Sequence, residues 1–117
     1  MRYILMANTD GKLISGLSST EQAELNQRYI DFTNALIESG VMRGAEQLHQ
    51  ADTATTVRRR EGDTVLADGP FADVTESFGG FWIVEAPDLD TALSHVEGCP
   101  AADVGSVEVR ALVERPG

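Results

Sequence analysis

The sequence predicts an α+β fold of ferredoxin-like order, βαββαβ, with an extra β-hairpin inserted at its middle. Three observations point there. Short apolar and β-branched runs alternate with two longer segments at helical spacing. Both of those segments carry capping residues at their starts and glycines at their ends. The length of 117 residues fits one compact domain, taken as 1–117, because domains commonly run to roughly 100–150 residues.

The first strand is read in "YILMA", Tyr3 to Ala7, a short apolar run followed by the turn formers "NTDGK"; such a run suits a strand buried on both faces. The first helix is read in "SSTEQAELNQRYIDFTNALIESG". Ser18 caps it with Glu21 three residues on, and Leu25, Tyr29, Phe32 and Leu36 recur at helical spacing up to Gly40. A second strand falls within "VMRGAEQL", Val41 to Leu48, with Gly44 inside it. "TATTVRRR" and "TVLAD" flank "EGD", so β-branched residues surround a short glycine turn and predict a hairpin. "GGFWIVEA" is the most apolar run and the predicted central strand. In "PDLDTALSHVEG", Asp88 is the N-cap, Leu89, Ala92, Leu93 and Val96 form the apolar stripe, and Gly98 ends the helix. "SVEVRALV" alternates, with Val107, Val109, Ala111 and Val113 on one face and Glu108 and Arg110 on the other. Two helices cover one face of such a sheet; its other face calls for a partner, and a homodimer through the sheets answers that need.

Charge narrows the function. Nineteen acidic residues against nine Lys and Arg give a net charge of -10, which repels a phosphate backbone and disfavours nucleic acid. No segment has the ~18–20 apolar residues of a membrane span, and the N-terminal apolar run is too short for a signal-peptide core, so a cytoplasmic location is expected. Cys99, the single cysteine, has no intrachain partner and reads as a small buried hydrophobe.

"TATTVR", "DGPFAD", "GGFWIVEAPDLDTAL", "CPAA" and "GSVEVR" follow one another in order. With these motifs the chain resembles the YCII-related family, and within it the DGPF subfamily, over nearly its whole length. The resemblance implies a dimeric α+β barrel like that of muconolactone isomerase. Relatives include a dehydrochlorinase acting on a hydroxylated aromatic, while others look like companions of extracytoplasmic-function sigma factors. In the wider family a histidine and an aspartate are proposed to form a catalytic pair. Here the resemblance implies His49, in "QLHQAD", with Asp68 or Asp73. Where the subfamily often carries a proline pair, this chain reads "HQAD".

The residues themselves support each role and also a plainer one. Imidazole titrates near neutral pH, so His49 suits a general acid or base; it also suits the surface end of a strand. Asp68 could orient His49, or simply bond its own backbone at the start of the Gly69-Pro70 turn. Arg58, Arg59 and Arg60 form the only basic run. Arg58 would steady negative charge on a small anionic ligand, or the run would guard a sheet edge. Phe71, Phe78, Phe81 and Trp82 could wall an aromatic-binding pocket, with Phe71 and Trp82 touching the ligand, or serve core and interface. His49, Asp52 and Glu46 lack the spacing of a known metal motif, and no P-loop, GxGxxG or serine elbow occurs. The expectation is an enzyme without a bound cofactor, performing proton transfer on a small aromatic or anionic molecule through a His/Asp pair. The rival expectation is a non-catalytic dimeric module.

Overall fold

The computed structural model describes residues 1–69 and 75–116. It opens with β1 (Arg2–Asp10), which runs on through the segment read as a turn. Asp10 ends the strand by capping a one-turn helix, α1 (Gly11–Ser15), accepting from the Lys12 and Leu13 N–H groups. The long helix α2 (Ser19–Glu38) begins at the expected capping box: Glu21 N–H donates to Ser18 Oγ at 3.1 Å, and Ser18 N–H donates back to Glu21 Oε1 at 3.0 Å. Gly40, at φ 77°, turns the chain out of it. Then come β2 (Met42–Gln47), β3 (Thr55–Arg60), β4 (Asp63–Asp68), β5 (Glu76–Glu85), α3 (Leu89–Val96) and β6 (Gly105–Ala111). Single 3-10 turns at Ala51–Thr53 and Pro100–Asp103 complete the described elements.

Strands β2, β5, β1 and β6 lie side by side in that order, every pair antiparallel, and α2 and α3 cover one face. The register arranges the sheet in rows. On the helix side they read Gln47–Gly80–Ala7–Val107, then Ala45–Trp82–Leu5–Val109. Leu5, at 0% exposure, and Val84 sit at the centre, closed in by Phe32, Leu36, Ala92 and Ala101. Burying one such side chain stabilises by about 1.5–3 kcal/mol, so this layer carries the fold.

On the other side the rows read Glu46–Phe81–Met6–Glu108 and Gly44–Ile83–Ile4–Arg110. An apolar strip of half-buried residues is thus bracketed by charged edges. The strand buried on both faces is therefore corrected: Tyr3, Leu5 and Ala7 are buried, whereas Ile4 and Met6 lie on the uncovered face. Two smaller corrections concern apolar stripes. Val113 lies beyond the end of β6 and is exposed, and in α3 Ala92 is buried while Leu89 and Leu93 face outward. An eight-residue helix has room to press only one narrow line onto the sheet, and the small Ala92 lets it approach closely.

The predicted hairpin forms, but as a separate two-stranded sheet of β3 and β4. Glu61 (φ 53°) and Gly62 (φ 84°) make its turn, both left-handed as a two-residue hairpin loop requires. All of β4 is exposed. The radius of gyration, 16.3 Å, exceeds the roughly 13 Å expected for this length, consistent with an arm standing off the body.

Candidate functional site

A groove of about 860 Å³ opens between α2 and the end of the sheet where β1, β2 and β5 meet. Its walls follow from the pattern already described. Tyr29 and Thr33 sit one helical turn apart on α2, beside the buried stripe, and lean over the Trp82 row. Gly80, Ala7 and Ala45 leave the floor low, since none carries a large side chain. At Gly80 the reason is close approach: a Cβ there would stand 3.0 Å from the Glu46 carbonyl oxygen.

Trp82 anchors the site. It is 7% exposed, stacks on Tyr29 with centroids 6.1 Å apart, and meets Phe32 edge to face at 5.0 Å. Its indole N–H donates to Thr33 Oγ1 at 3.0 Å, so its one polar atom is satisfied. Burial pushes the Tyr29 phenol up to about 12, the neighbouring Cys99 adds to the rise and Arg28 opposes it; Tyr29 is therefore a neutral hydroxyl at ordinary pH. Asn26, Asn34 and Gln47 supply further neutral polar groups along the rim. The groove is an aromatic-walled slot lined mainly by uncharged hydrogen-bonding groups, with Glu46 the charged residue at its edge, suited to a flat molecule carrying oxygens.

Of the candidate residues singled out from the sequence, Trp82, Phe81 and Glu46 line this groove. His49 is exposed, two residues past the groove-lining Gln47; the Leu48 N–H between them is tied to the Gly79 carbonyl at 2.9 Å. Asp68 is exposed at the end of β4, opposite Thr55 in β3, and among the described residues no hydrogen bond joins it to His49. Arg58 is half-buried in β3, across from Val65. Phe71 and Asp73 lie outside the described residues. Phe78 and Phe81 stack on each other, with centroids 6.3 Å apart, on the uncovered sheet face. Cys99 is free and buried in the core, and burial pushes its thiol up, so it is a packing residue. Among the described residues no three His, Cys, Asp or Glu side chains stand close enough to hold a metal, so Glu46, His49 and Asp52 do not converge.

Tyr29 and Thr33 join the site without a motif of their own. Tyr29 did appear in the helical stripe, and a polar Thr one turn after it on that stripe was the available signal.

Comparison with known proteins agrees with this architecture. The YCII-related domain matches residues 1–115, and the chain belongs to that family. It is 29% identical over 120 residues to an uncharacterized protein of Rhizobium meliloti, covering 100% of this chain and 97% of the other. It is also similar to the structure of 5-chloro-2-hydroxyhydroquinone dehydrochlorinase from Burkholderia phenoliruptrix AC1100, in complex with 2,5-dihydroxybenzoquinone. That match has a TM-score of 0.53 at 16% identity, covers 98% of this chain and 96% of the other, and speaks for the fold. Among the described residues no helix is long and apolar enough to cross a membrane.

Proposed function

We propose that the protein binds a small, planar, hydroxylated or enolisable molecule in the groove and transfers a proton on it without a bound cofactor. The observation that carries this reading is the Tyr29–Trp82 aromatic wall beside neutral hydrogen-bonding groups. A flat ring would lie along Trp82, and the protonated Tyr29 phenol would donate to one of its oxygens. His49, in the exposed segment beyond the groove-lining Gln47, would take or return the proton. Asp68 would orient His49, and Arg58 would steady developing negative charge. The similarity to a dehydrochlorinase of a hydroxylated ring supports an aromatic substrate class, and the DGPF motifs support placement in that subfamily.

The same reading includes a ferredoxin-like homodimer forming an α+β barrel. Its support is the uncovered face, with Ile4, Met6, Phe81 and Ile83 in the middle and Glu46, Glu108 and Arg110 at the edges, the apolar centre and polar rim of an interface. A second reading, a non-catalytic dimeric module with a ligand-binding or regulatory role such as beside an extracytoplasmic-function sigma factor, is favoured by the exposure of His49.

Trp82 is the single tryptophan, so its fluorescence reports on the groove directly. A titration with hydroxyquinones, catechols and enolisable keto acids should quench it. Exchange of the bound ligand's acidic C–H for deuterium, followed by NMR, should be accelerated by the wild type. His49→Ala should slow that exchange by roughly 100-fold or more while leaving quenching intact. Quenching without accelerated exchange would select the binding module, and no quenching across the panel would remove the groove as a site.

A further inference from the structure

We infer that the β3–β4 hairpin is a docking arm that grips a second copy of this chain, a contact beyond the sheet-to-sheet dimer. Among the described residues the hairpin packs little against the main sheet. Among the described residues β3 and β4 form extensive contacts only with each other, and two strands alone are marginal in water. Yet its outer face holds an apolar pair directly opposed across the strands, Val57 and Leu66, exposed at 62% and 67%. Val65 adds a third exposed apolar side chain on the other face. Such a pair stabilises little while wet and calls for a cover.

Charge selects the cover. The arm carries Arg59 and Arg60, which have no carboxylate partner among the described residues, at the tip of a chain whose net charge is -10. The uncovered sheet face of the same chain ends at both edges in a glutamate of one row, Glu46 on β2 and Glu108 on β6, and neither has an ion pair among the described residues. Between them runs the apolar strip. A second copy therefore offers what the arm lacks: an apolar border for Val57 and Leu66 and a carboxylate edge for Arg59, which shares their face of the hairpin. The arm leaves the body from the end of β2, an edge strand of the sheet, so it starts beside the face through which two copies would meet. Reciprocal arms satisfy a twofold axis, each copy giving one and receiving one.

The test is a mixed-isotope cross-link. Leu66→p-benzoylphenylalanine protein, prepared in light and in nitrogen-15 form, is mixed one to one, irradiated and digested, and the cross-linked peptides are read by mass spectrometry. Links joining light to heavy peptides around Glu46 or Glu108 are expected. Links only within one chain, or none to this protein, would overturn the arm. In parallel, sedimentation of Leu66→Asp and Val57→Asp should show a dimer Kd raised by about 100-fold or more, because each change counts twice in a twofold dimer. Ile83→Asp separates this inference from the sheet dimer. If Ile83→Asp dissociates the dimer and neither arm variant changes Kd, the sheet interface stands and the arm contact is refuted. If the wild type is monomeric at every concentration, both are refuted.

Discussion

Replacing Thr33 with Val tests whether the Trp82 edge is a sealed part of the groove wall. The substitution keeps the branched shape and removes only the oxygen that accepts from the indole N–H at 3.0 Å. Trp82 is 7% exposed, so the orphaned donor has little water to turn to, and a buried unsatisfied group costs about 1–3 kcal/mol. At roughly 4 °C per kcal/mol for a chain of this size, Tm should fall by about 4–12 °C. The clean measurement is a double-mutant cycle with Trp82→Phe, followed by circular dichroism in urea because the second variant has no tryptophan. Once the indole is gone Thr33→Val should cost little, leaving a coupling of about 1 kcal/mol or more. The emission maximum of Thr33→Val should also shift. A coupling below about 0.5 kcal/mol would refute the reasoning, since it would mean that groove water reaches the indole N–H.

Acid should weaken the fold through its caps. Ser18 holds the Glu21 carboxyl below its ordinary value of 4.5, and Thr91 holds Asp88 below 3.8. Because the folded values are the lower ones, this stabilisation is complete above the ordinary values and is lost as pH falls through the folded ones; Ser18→Ala and Asp88→Ala should flatten the decline in urea titrations between pH 5 and 2. Alkali should act through Tyr29 with the opposite sense: its folded value, about 12, lies above the free phenol's 10.0, so its contribution is full below pH 10 and is lost as pH rises toward 12. Tyr29→Phe should remove that alkaline step, as read by tyrosinate absorbance and unfolding midpoints. Leu5→Ala should cost about 3–5 kcal/mol in chemical denaturation, since the methyl groups removed are fully enclosed. Gly80→Val should push β2 from β5 at the Glu46 carbonyl and weaken groove ligands more than it weakens the fold.

The parts of this fold that were legible from sequence are those written in local chemistry. Ser18 with Glu21, Asp88, and the turn glycines Gly40 and Gly62 act within a few residues of themselves, so their signals survive without tertiary context. Burial was harder. "YILMA" is apolar at every position, and nothing local distinguishes Leu5 in the core from Ile4 on the open face; only the pairing with β5 and β6 does. The hairpin was legible as a hairpin, while its separation from the main sheet depends on where β2 and β5 pair, which is a long-range matter. The groove shows the same division. Trp82 stood out by its residue type, whereas Tyr29, Thr33 and Gly80 become a site only when α2 crosses the sheet.

That apolar doubling has a consequence for how the chain finds its alignment. Moving β1 one residue along its neighbours would exchange Tyr3, Leu5 and Ala7 for Ile4 and Met6 beneath the helices, a trade of greasy for greasy that hydrophobicity scarcely penalises. Something stiffer must index the strands. Gly105 does so on one side: opposite Thr9, its missing side chain leaves room that the Asn8 backbone occupies, so no other residue of β6 fits that notch. The extra residue Gly79, between the partners of Ala7 and Asn8, does so on the other. Two glycines act as the key and keyway of the sheet, and a change at Gly105 should yield chains that collapse in the wrong frame rather than chains that merely unfold more easily.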